Sequence, residues 1–241
     1  MVMIIAEVGV NHGGSVLRAK ELAHRAKDAG CDAAKFQMFN ASLLAERGSD
    51  KYAMLKELEF SYEQMADVAD YCRALEIEFM ATPFDMMSVT ALEELDVKRF
   101  KVGSGQVKDL AFVKRVGRSG RPVIISNGMC TDADIEAALK VLPKDVTLLS
   151  CVSLYPTPFD AINFEDMERL WETFSTKVGY SCHAGSPWPT ILASARGANV
   201  VEAHITLDRS APGPDHSSSI TTGELAKWVK MVRGMAPRGS W

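Results

Sequence analysis

A (β/α)8 barrel, the TIM-barrel form of the α/β class, is the fold this sequence predicts, and three observations predict it. Eight strand-like apolar runs recur along the chain, and each leads into a segment of helical period. The runs are nearly continuous in hydrophobicity, as strands buried on both faces of a parallel sheet require. The length, 241 residues, matches one barrel of roughly 250 residues and is short for two domains of ordinary size. A doubly wound sheet would usually hold fewer strands.

Taken in order, the predicted strands are MIIAEVG (3–9), DAAKFQM (32–38), EFMATP (78–83), RFKVGS (99–104), PVIISN (122–127), VTLLSCVS (146–153), KVGYSCH (177–183) and VVEAHIT (200–206). The first is followed by SVLRAKELAHRAKDAG, where Leu17, Leu22, Ala23 and Ala26 make an apolar stripe and Gly30 a helix stop. The interval after the second strand is the longest, which predicts a long loop at about 39–61 covering the catalytic face. SYEQMADVADYCRALE then supplies the helix before strand three. No low-complexity linker or composition break divides the chain, so a single barrel domain spanning residues 1–241 is expected.

Composition removes several classes of function. With 47% hydrophobic and 24% charged residues, the chain is neither disordered, collagen-like nor a disulfide scaffold. Net charge is −4, from 27 basic and 31 acidic residues. No basic run stands out, which speaks against a nucleic-acid partner. No stretch approaches the ~18 uninterrupted apolar residues of a membrane span. The start, MVMIIAEVGVNHGG, is interrupted by Glu7 too early for a signal peptide. Five cysteines, at 31, 72, 130, 151 and 182, form an odd count without CxxC spacing. A reduced, cytoplasmic chain is the expectation.

In this fold the active site lies at the C-terminal ends of the strands, so the polar residues found there carry the chemistry. Every strand supplies one or more. They are Glu7, Asn11 and His12; Lys35 and Gln37; Thr82 and Asp85; Lys101, Ser104 and Gln106; Ser126 and Asn127; Ser153 and Tyr155; Ser181 and His183; Glu202 and His204, then Asp208, Asp215 and His216. All the histidines except His24 fall at or just after a strand end. His183 and His204 occupy matching places on strands seven and eight. Two neutral imidazoles plus oxygen ligands would bind a divalent ion and leave positions open for a carbonyl to be polarised.

Lys35 and Lys101 lie inside strands, where a lysine needs an anionic partner or a shifted pKa. One reading is a phosphate or carboxylate clamp, which the hydroxyls of Thr82, Ser104, Ser126 and Ser181 favour. Another is a Schiff-base nucleophile at Lys35. A third is an internal ion pair between Lys35 and Glu7. The loop RSAPGPDHSSSI (209–220) reads equally as connector or as site, because Asp215 and His216 stand among turn formers. The GxG of KVGSGQ lacks the spacing of a dinucleotide fingerprint.

With these residues in place, the chain resembles the sialic acid synthase family, the N-acetylneuraminate synthase-like enzymes. The segments that carry the resemblance are IAEVGVNHGG, AAKFQ, ATPFD, KVGSG, ISNGM, CVSLYPTP, VGYSCHAG and VEAHITLDRSAPGPDHSSSI, in order from residue 5 to 220. The resemblance implies metal-dependent condensation of phosphoenolpyruvate with an aldose, N-acetylmannosamine-like or another aldehyde. The product would be a 2-keto-3-deoxy sugar acid plus phosphate. It implies His183 and His204 as metal ligands, for manganese first, with magnesium or cobalt as alternatives. It implies Lys35, Thr82 and Ser104 on the phosphate, with Lys101, Ser126, Ser153 and Ser181 on the carboxylate. Glu7, Gln37, Tyr155 and Asp215 would face the sugar, and Glu7, Lys35, His183 and His204 would form the catalytic set. It also implies small-molecule substrates as partners and a homodimer.

Three departures from the family pattern stand out. Cys182 and Ala184 flank His183, so a carboxylate beside the ligand is lost, with an expected effect on metal orientation. Gln106 stands where an acidic residue is common, and Ser153 where many members have Asn. The small C-terminal antifreeze-like domain that the resemblance implies is not in this sequence, which ends at Trp241. The readings set against the synthase are the Lys35 Schiff-base aldolase and a non-catalytic barrel that binds a sugar acid.

Overall fold

The structure is a computed structural model and describes residues 1–237; the expected end of the domain at Trp241 lies outside the described residues. Among the described residues eight parallel strands form the ring: β1 Met3–Gly9, β2 Ala33–Met38, β3 Glu78–Pro83, β4 Phe100–Val102, β5 Val123–Ser126, β6 Val146–Cys151, β7 Lys177–Cys182 and β8 Val200–Thr206. Their order, β3-β2-β1-β8-β7-β6-β5-β4, runs round a ring. β3 and β4 lie side by side, but no ladder joins them among the described residues. Instead Arg99, just ahead of the three-residue β4, forks onto the Glu78 carboxylate at 2.7 and 3.2 Å. The ring is therefore closed across this seam by packing and a bidentate ion pair at its N-terminal end.

Strand alternation sorts the side chains into two populations. One set, including Ile4, Ala6, Ala34, Phe36, Ala81, Val102, Ile125, Leu148, Tyr180 and Val201, packs outward against the surrounding helices. The other, Ile5, Ala33, Met80, Ile124, Leu149 and Val200, forms a separate apolar layer inside the ring. Gly179 makes room for that layer, since a Cβ there would stand 2.7 Å from Leu149 Cδ2 and 2.2 Å from the Val200 carbonyl oxygen.

The helix after β1, α1 (Val16–Asp28), is capped by Ser15 and buries Ala19, Leu22, Ala23 and Ala26. Leu17, expected in that stripe, is 81% exposed; Ala19, a residue of the right spacing but small, takes the inward place. The 39–61 segment is also more ordered than a loop. It holds two short helices, α2 (Ala41–Leu44) and α3 (Asp50–Leu58), before α4 (Tyr62–Ala74). Phe60 stacks on the His12 ring at 4.0 Å, and the Asn40 N–H donates to Asp85 at 2.9 Å. These contacts hold the segment to the end of the barrel where the strands finish.

After β8, the 209–220 loop is built rather than slack. Thr206 and His216 are hydrogen-bonded at 2.7 Å, Asn11 donates to the Ile205 carbonyl and to Ser219, and Ser219 donates to the Asp215 carbonyl. The loop leads into a short strand, β9 (Ile220–Thr221), paired with β8. No helix among the described residues is long and apolar enough to cross a membrane.

Candidate active site

Two positions beyond each apolar residue of the inner layer, the same inward face turns polar. Ile5 is succeeded by Glu7, Ala33 by Lys35, Met80 by Thr82, Ile124 by Ser126, Leu149 by Cys151, Gly179 by Ser181 and Val200 by Glu202. With Lys101 of β4 and His204 of β8, all of these line a cavity of ≈ 270 Å³ at the C-terminal ends of the strands. Gln37, Phe84, Gln106, Met129, Tyr155 and His183 surround it above.

The floor of this cavity holds four buried charged side chains. Lys35 Nζ lies 2.7 Å from Glu7 Oε2 and 3.5 Å from Glu202 Oε2, and it donates to Thr82 Oγ1 at 3.1 Å. Lys101 donates to Ser126 Oγ at 2.7 Å and to the Val102 carbonyl at 3.3 Å. Ser181 donates to Glu202 Oε1 at 3.0 Å. Burial opposes the charge on Lys35, but the Glu202 and Glu7 carboxylates outweigh it and raise its pKa. Lys35 is thus a cation, which disfavours the imine-forming role considered from sequence. Burial lowers the Lys101 pKa, with Glu202 opposing.

The two carboxylates separate in character. Burial lifts Glu7 to about 7, against the pull of Lys35, with Glu202 adding to the lift. Burial also acts against the Glu202 charge, but Lys35, Lys101 and the Ser181 hydroxyl hold it down at about 2. One carboxylate is poised to exchange a proton near neutrality and the other is a fixed anion.

His183 and His204 stand side by side above this floor, ring centroids 5.6 Å apart. The Val152 carbonyl, 2.8 Å from His183 Nδ1, can only accept, so the proton sits on Nδ1 and Nε2 carries the lone pair. Tyr155 Oη approaches that Nε2 at 2.9 Å. His204 Nδ1 is buried without a hydrogen-bond partner, 3.7 Å from Asp215 Oδ2. Burial, then His204, lowers His183 to about 4; burial, then Lys35, lowers His204 to about 3. Both rings are neutral, the form that binds a metal. Among the described residues no three His, Cys, Asp or Glu side chains converge as a protein-only cage. Two neutral imidazoles side by side could hold a divalent ion whose other positions water or substrate would fill. Gly9, at φ +55°, is needed beneath this pair: a Cβ there would lie 3.2 Å from the His204 ring and 3.3 Å from Asp215.

Of the residues singled out in the sequence, Glu7, Lys35, Gln37, Thr82, Lys101, Ser104, Ser126, Tyr155, Ser181, His183 and His204 come together around one cavity. Two do not line it. Ser153 is bonded to Ser104 at 3.2 Å, while Asp215 stands beside His204. Other strand-end residues are structural. Asn11 and His216 tie down the 209–220 loop, Asp85 caps α5 (Met86–Glu94), and Asn127 donates to Asp166 at 2.7 Å.

The Cys182 side chain lies in the outer core, its thiol 3.6 Å from the Ser186 carbonyl. Alternation turns it away from Ser181 and His183. Glu202 is the main residue that sequence reasoning left unassigned. Its parity with His204 along VVEAHIT was the available signal.

The sequence matches the NeuB family over residues 22–237. It is 37% identical to the N,N'-diacetyllegionaminic acid synthase of Legionella pneumophila, over 95% of this chain and 71% of that protein. It is 36% identical to the N-acetylneuraminate-9-phosphate synthase of Homo sapiens, over 95% of this chain and 69% of that one. A crystal structure of the N-acetylneuraminic acid synthetase of Leptospira borgpetersenii in complex with citrate superposes with a TM-score of 0.93 at 32% identity. That superposition covers 97% of this chain and 83% of the other.

Proposed function

The chain belongs to the NeuB family, phosphoenolpyruvate-dependent sugar acid synthases that form a carbon–carbon bond, and from that premise we propose a specific division of labour in its cavity. The reaction is the metal-dependent condensation of phosphoenolpyruvate with the open-chain form of an aldose. Carbon 3 of phosphoenolpyruvate bonds to the aldehyde carbon, a water oxygen adds at carbon 2, and the bond from carbon 2 to the phosphate oxygen breaks. The two protons of that water end on the new hydroxyl and on the released phosphate. The product is a 2-keto-3-deoxy sugar acid.

The observation that carries this reading is the meeting of two buried lysines with the hydroxyls of Thr82, Ser104, Ser126 and Ser181 in one cavity beside two neutral histidines. Lys35, Thr82 and Ser104 take the phosphate. Lys101, Ser126 and Ser181 take the carboxylate, and Ser153 steadies Ser104. Charge-assisted bonds of this kind, preorganised in a dry site, hold a leaving phosphate without further reorganisation. Gln37 and Tyr155 face the sugar, and Asp215, set back from the cavity, acts from beside His204.

The Lys35–Glu7 contact belongs to the free protein under this reading. Binding of the phosphate group exchanges one anionic partner of Lys35 for another and releases Glu7 toward the sugar. A carboxyl held near 7 is suited to pass a proton to or from a sugar oxygen. Glu202 remains ionised and keeps Lys35 in place. His183 and His204 would hold the divalent ion, manganese first among the candidates, which when bound supplies Lewis-acid polarisation of the aldehyde.

The test is phosphate release from phosphoenolpyruvate in the presence of manganese across a panel of aldoses, with His204→Ala as the paired variant. Release that depends on an aldose, with metal content and activity both lost in a folded His204→Ala protein, is expected. Unchanged metal content in that variant would refute the ligand assignment. Borohydride with pyruvate should trap no imine.

A further inference from the structure

A polar network stands directly behind the cavity floor, on the outer side of β5 and β6. Strand alternation sends Ser126 and Cys151 into the cavity and turns their chain neighbours Asn127 and Ser150 outward. The outward positions two residues earlier, Ile125 and Leu148, are apolar core. At Asn127 and Ser150 both strands give up that apolar packing, and both side chains donate to one oxygen, Asp166 Oδ2, at 2.7 and 2.8 Å. Asp166 lies in the first turn of the helix Glu165–Phe174. Its other oxygen accepts from Arg169 at 3.1 and 2.7 Å. Arg169 extends the contact to both oxygens of Asp132, at 2.7 and 2.8 Å, at the start of the helix Asp132–Leu139.

Ladder geometry shows what Asn127 does at the end of its strand. Its N–H donates to the Leu149 carbonyl at 3.0 Å. In a parallel ladder the next N–H across, that of Cys151, would return to the Asn127 carbonyl. That carbonyl instead accepts from the Cys130 N–H at 2.7 Å, and the side-chain Oδ1 of Asn127 accepts from Cys151 at 3.1 Å in its place. The chain can therefore turn at 127–130, bringing Met129 to the cavity, without leaving the ladder unpaired. The turn lies close on the end of β6: a Cβ at Gly128 would stand 2.5 Å from Ser153 Oγ and 2.7 Å from Cys151 Sγ. Cys130 Sγ donates to the Ser104 carbonyl at 3.4 Å. At the root of the turn, Ser126 accepts from Lys101 at 2.7 Å. One turn thus touches both halves of the site, Ser126 and Lys101 on the carboxylate side and Ser104 on the phosphate side.

We propose that Asp166 is a positioning residue for phosphoenolpyruvate, acting through Asn127; the inference rests on the condensation reading and adds to it a residue outside the cavity. An amide can present either its oxygen or its nitrogen, whereas an ionised carboxylate only accepts. Asp166 therefore fixes the Asn127 amide with its nitrogen outward and its oxygen on the Cys151 N–H. Without that anchor the amide can turn over, the Cys151 N–H loses its acceptor, and the turn that sets Ser126 against Ser104 is no longer held. Side chains that bind a ligand keep their geometry only when the groups behind them are themselves fixed.

The experiment is calorimetric titration of phosphoenolpyruvate with manganese present, and of manganese alone, into the wild type, Asp166→Ala and Asp166→Asn. Asp166→Ala should bind phosphoenolpyruvate at least ~5-fold more weakly, with manganese affinity within about 2-fold of the wild type. Asp166→Asn keeps an acceptor oxygen for Asn127 and should recover most of that loss. Unchanged phosphoenolpyruvate affinity in Asp166→Ala overturns the proposal. So does equal weakening toward both ligands, which is what a general loosening of the barrel would produce. Asn127→Ala breaks the same contact from the strand side, should reproduce Asp166→Ala, and replaces it if that variant does not fold. Failure of both to fold makes the contact structural and also overturns the proposal. A failed condensation reading looks different: the wild type itself binds no phosphoenolpyruvate, and this inference falls with it.

Discussion

The inside of this barrel contains two neighbouring layers built on the same strands, and they obey opposite rules. The lower layer, Ile5, Ala33, Met80, Ile124, Leu149 and Val200, is wholly apolar. The layer above it places Glu7, Lys35, Lys101 and Glu202 at 5% exposure or less. Both layers are shielded from water, yet one uses dispersion and area burial while the other carries two lysines and two carboxyl groups. His204 Nδ1 lacks a hydrogen-bond partner there, and the Oε2 atoms of Glu7 and Glu202 have Lys35 as their shared ion-pair partner, at 2.7 and 3.5 Å. An assembly of charges this deep is weak evidence for stability, since desolvation rivals the attraction. It is better explained as a site whose charges are kept for a ligand, resting on a layer that is there for the fold.

The comparison breaks most clearly at Lys35. In Lys35→Met, Glu7 and Glu202 lose their shared cation, and a cost of about 3–5 kcal/mol is expected, together with loss of phosphoenolpyruvate binding. Urea denaturation and calorimetry on the same preparation measure both. Truncation one layer down should separate the two. Leu149→Ala, in the apolar layer, is expected to cost about 3 kcal/mol through its cavity, while the affinity for phosphoenolpyruvate changes less than in Lys35→Met. Equal damage to binding in both variants would show that the layers are not functionally distinct.

Acid should distinguish the layers too. His12, His183 and His204 are held at about 4, 4 and 3, by burial in each case first. An unfolded histidine takes up its proton near 6.5. As pH falls from about 6.5 toward 4, the unfolded chain therefore binds protons that the native one refuses, and stability declines. Glu7, raised to about 7, acts in the opposite sense between 7 and its ordinary value and cancels about one histidine. The net expectation for metal-free protein is a loss on the order of 2 kcal/mol between pH 6 and 5. Stability that rises over that interval would contradict the buried, neutral state of the histidine pair.

The smallest effect concerns Cys182. Because it faces the outer core, Cys182→Ala should cost about 1 kcal/mol and leave metal content as in the wild type. A changed metal content would mean that this position does reach the site.

Much of this was legible in the sequence. VVEAHIT and EFMATP were read as strands at the bounds the structure gives them, because continuous apolar runs flanked by breakers admit few alternatives. The ring of polar residues was found because the fold places such residues at strand ends. Which of them face inward was harder, since that depends on parity along each strand and on the register between strands. Parity along β7 turns Cys182 outward, and parity along β8 puts Glu202 on the inward face with His204. Leu17 shows the same limit on a helix, where the spacing fits a stripe but the angular position does not. The interior of 39–61 carried too little periodicity to reveal two helices of four and nine residues.

The central claim is that the charged layer is an anion clamp for phosphoenolpyruvate. Calorimetric titration of phosphoenolpyruvate, with manganese present, into the wild type and into Lys101→Met tests it most directly. The account predicts saturable binding in the wild type and an affinity at least ~10-fold weaker in the variant, as loss of one charge-assisted contact implies. Absence of binding in the wild type, or the same affinity in both proteins, would contradict it.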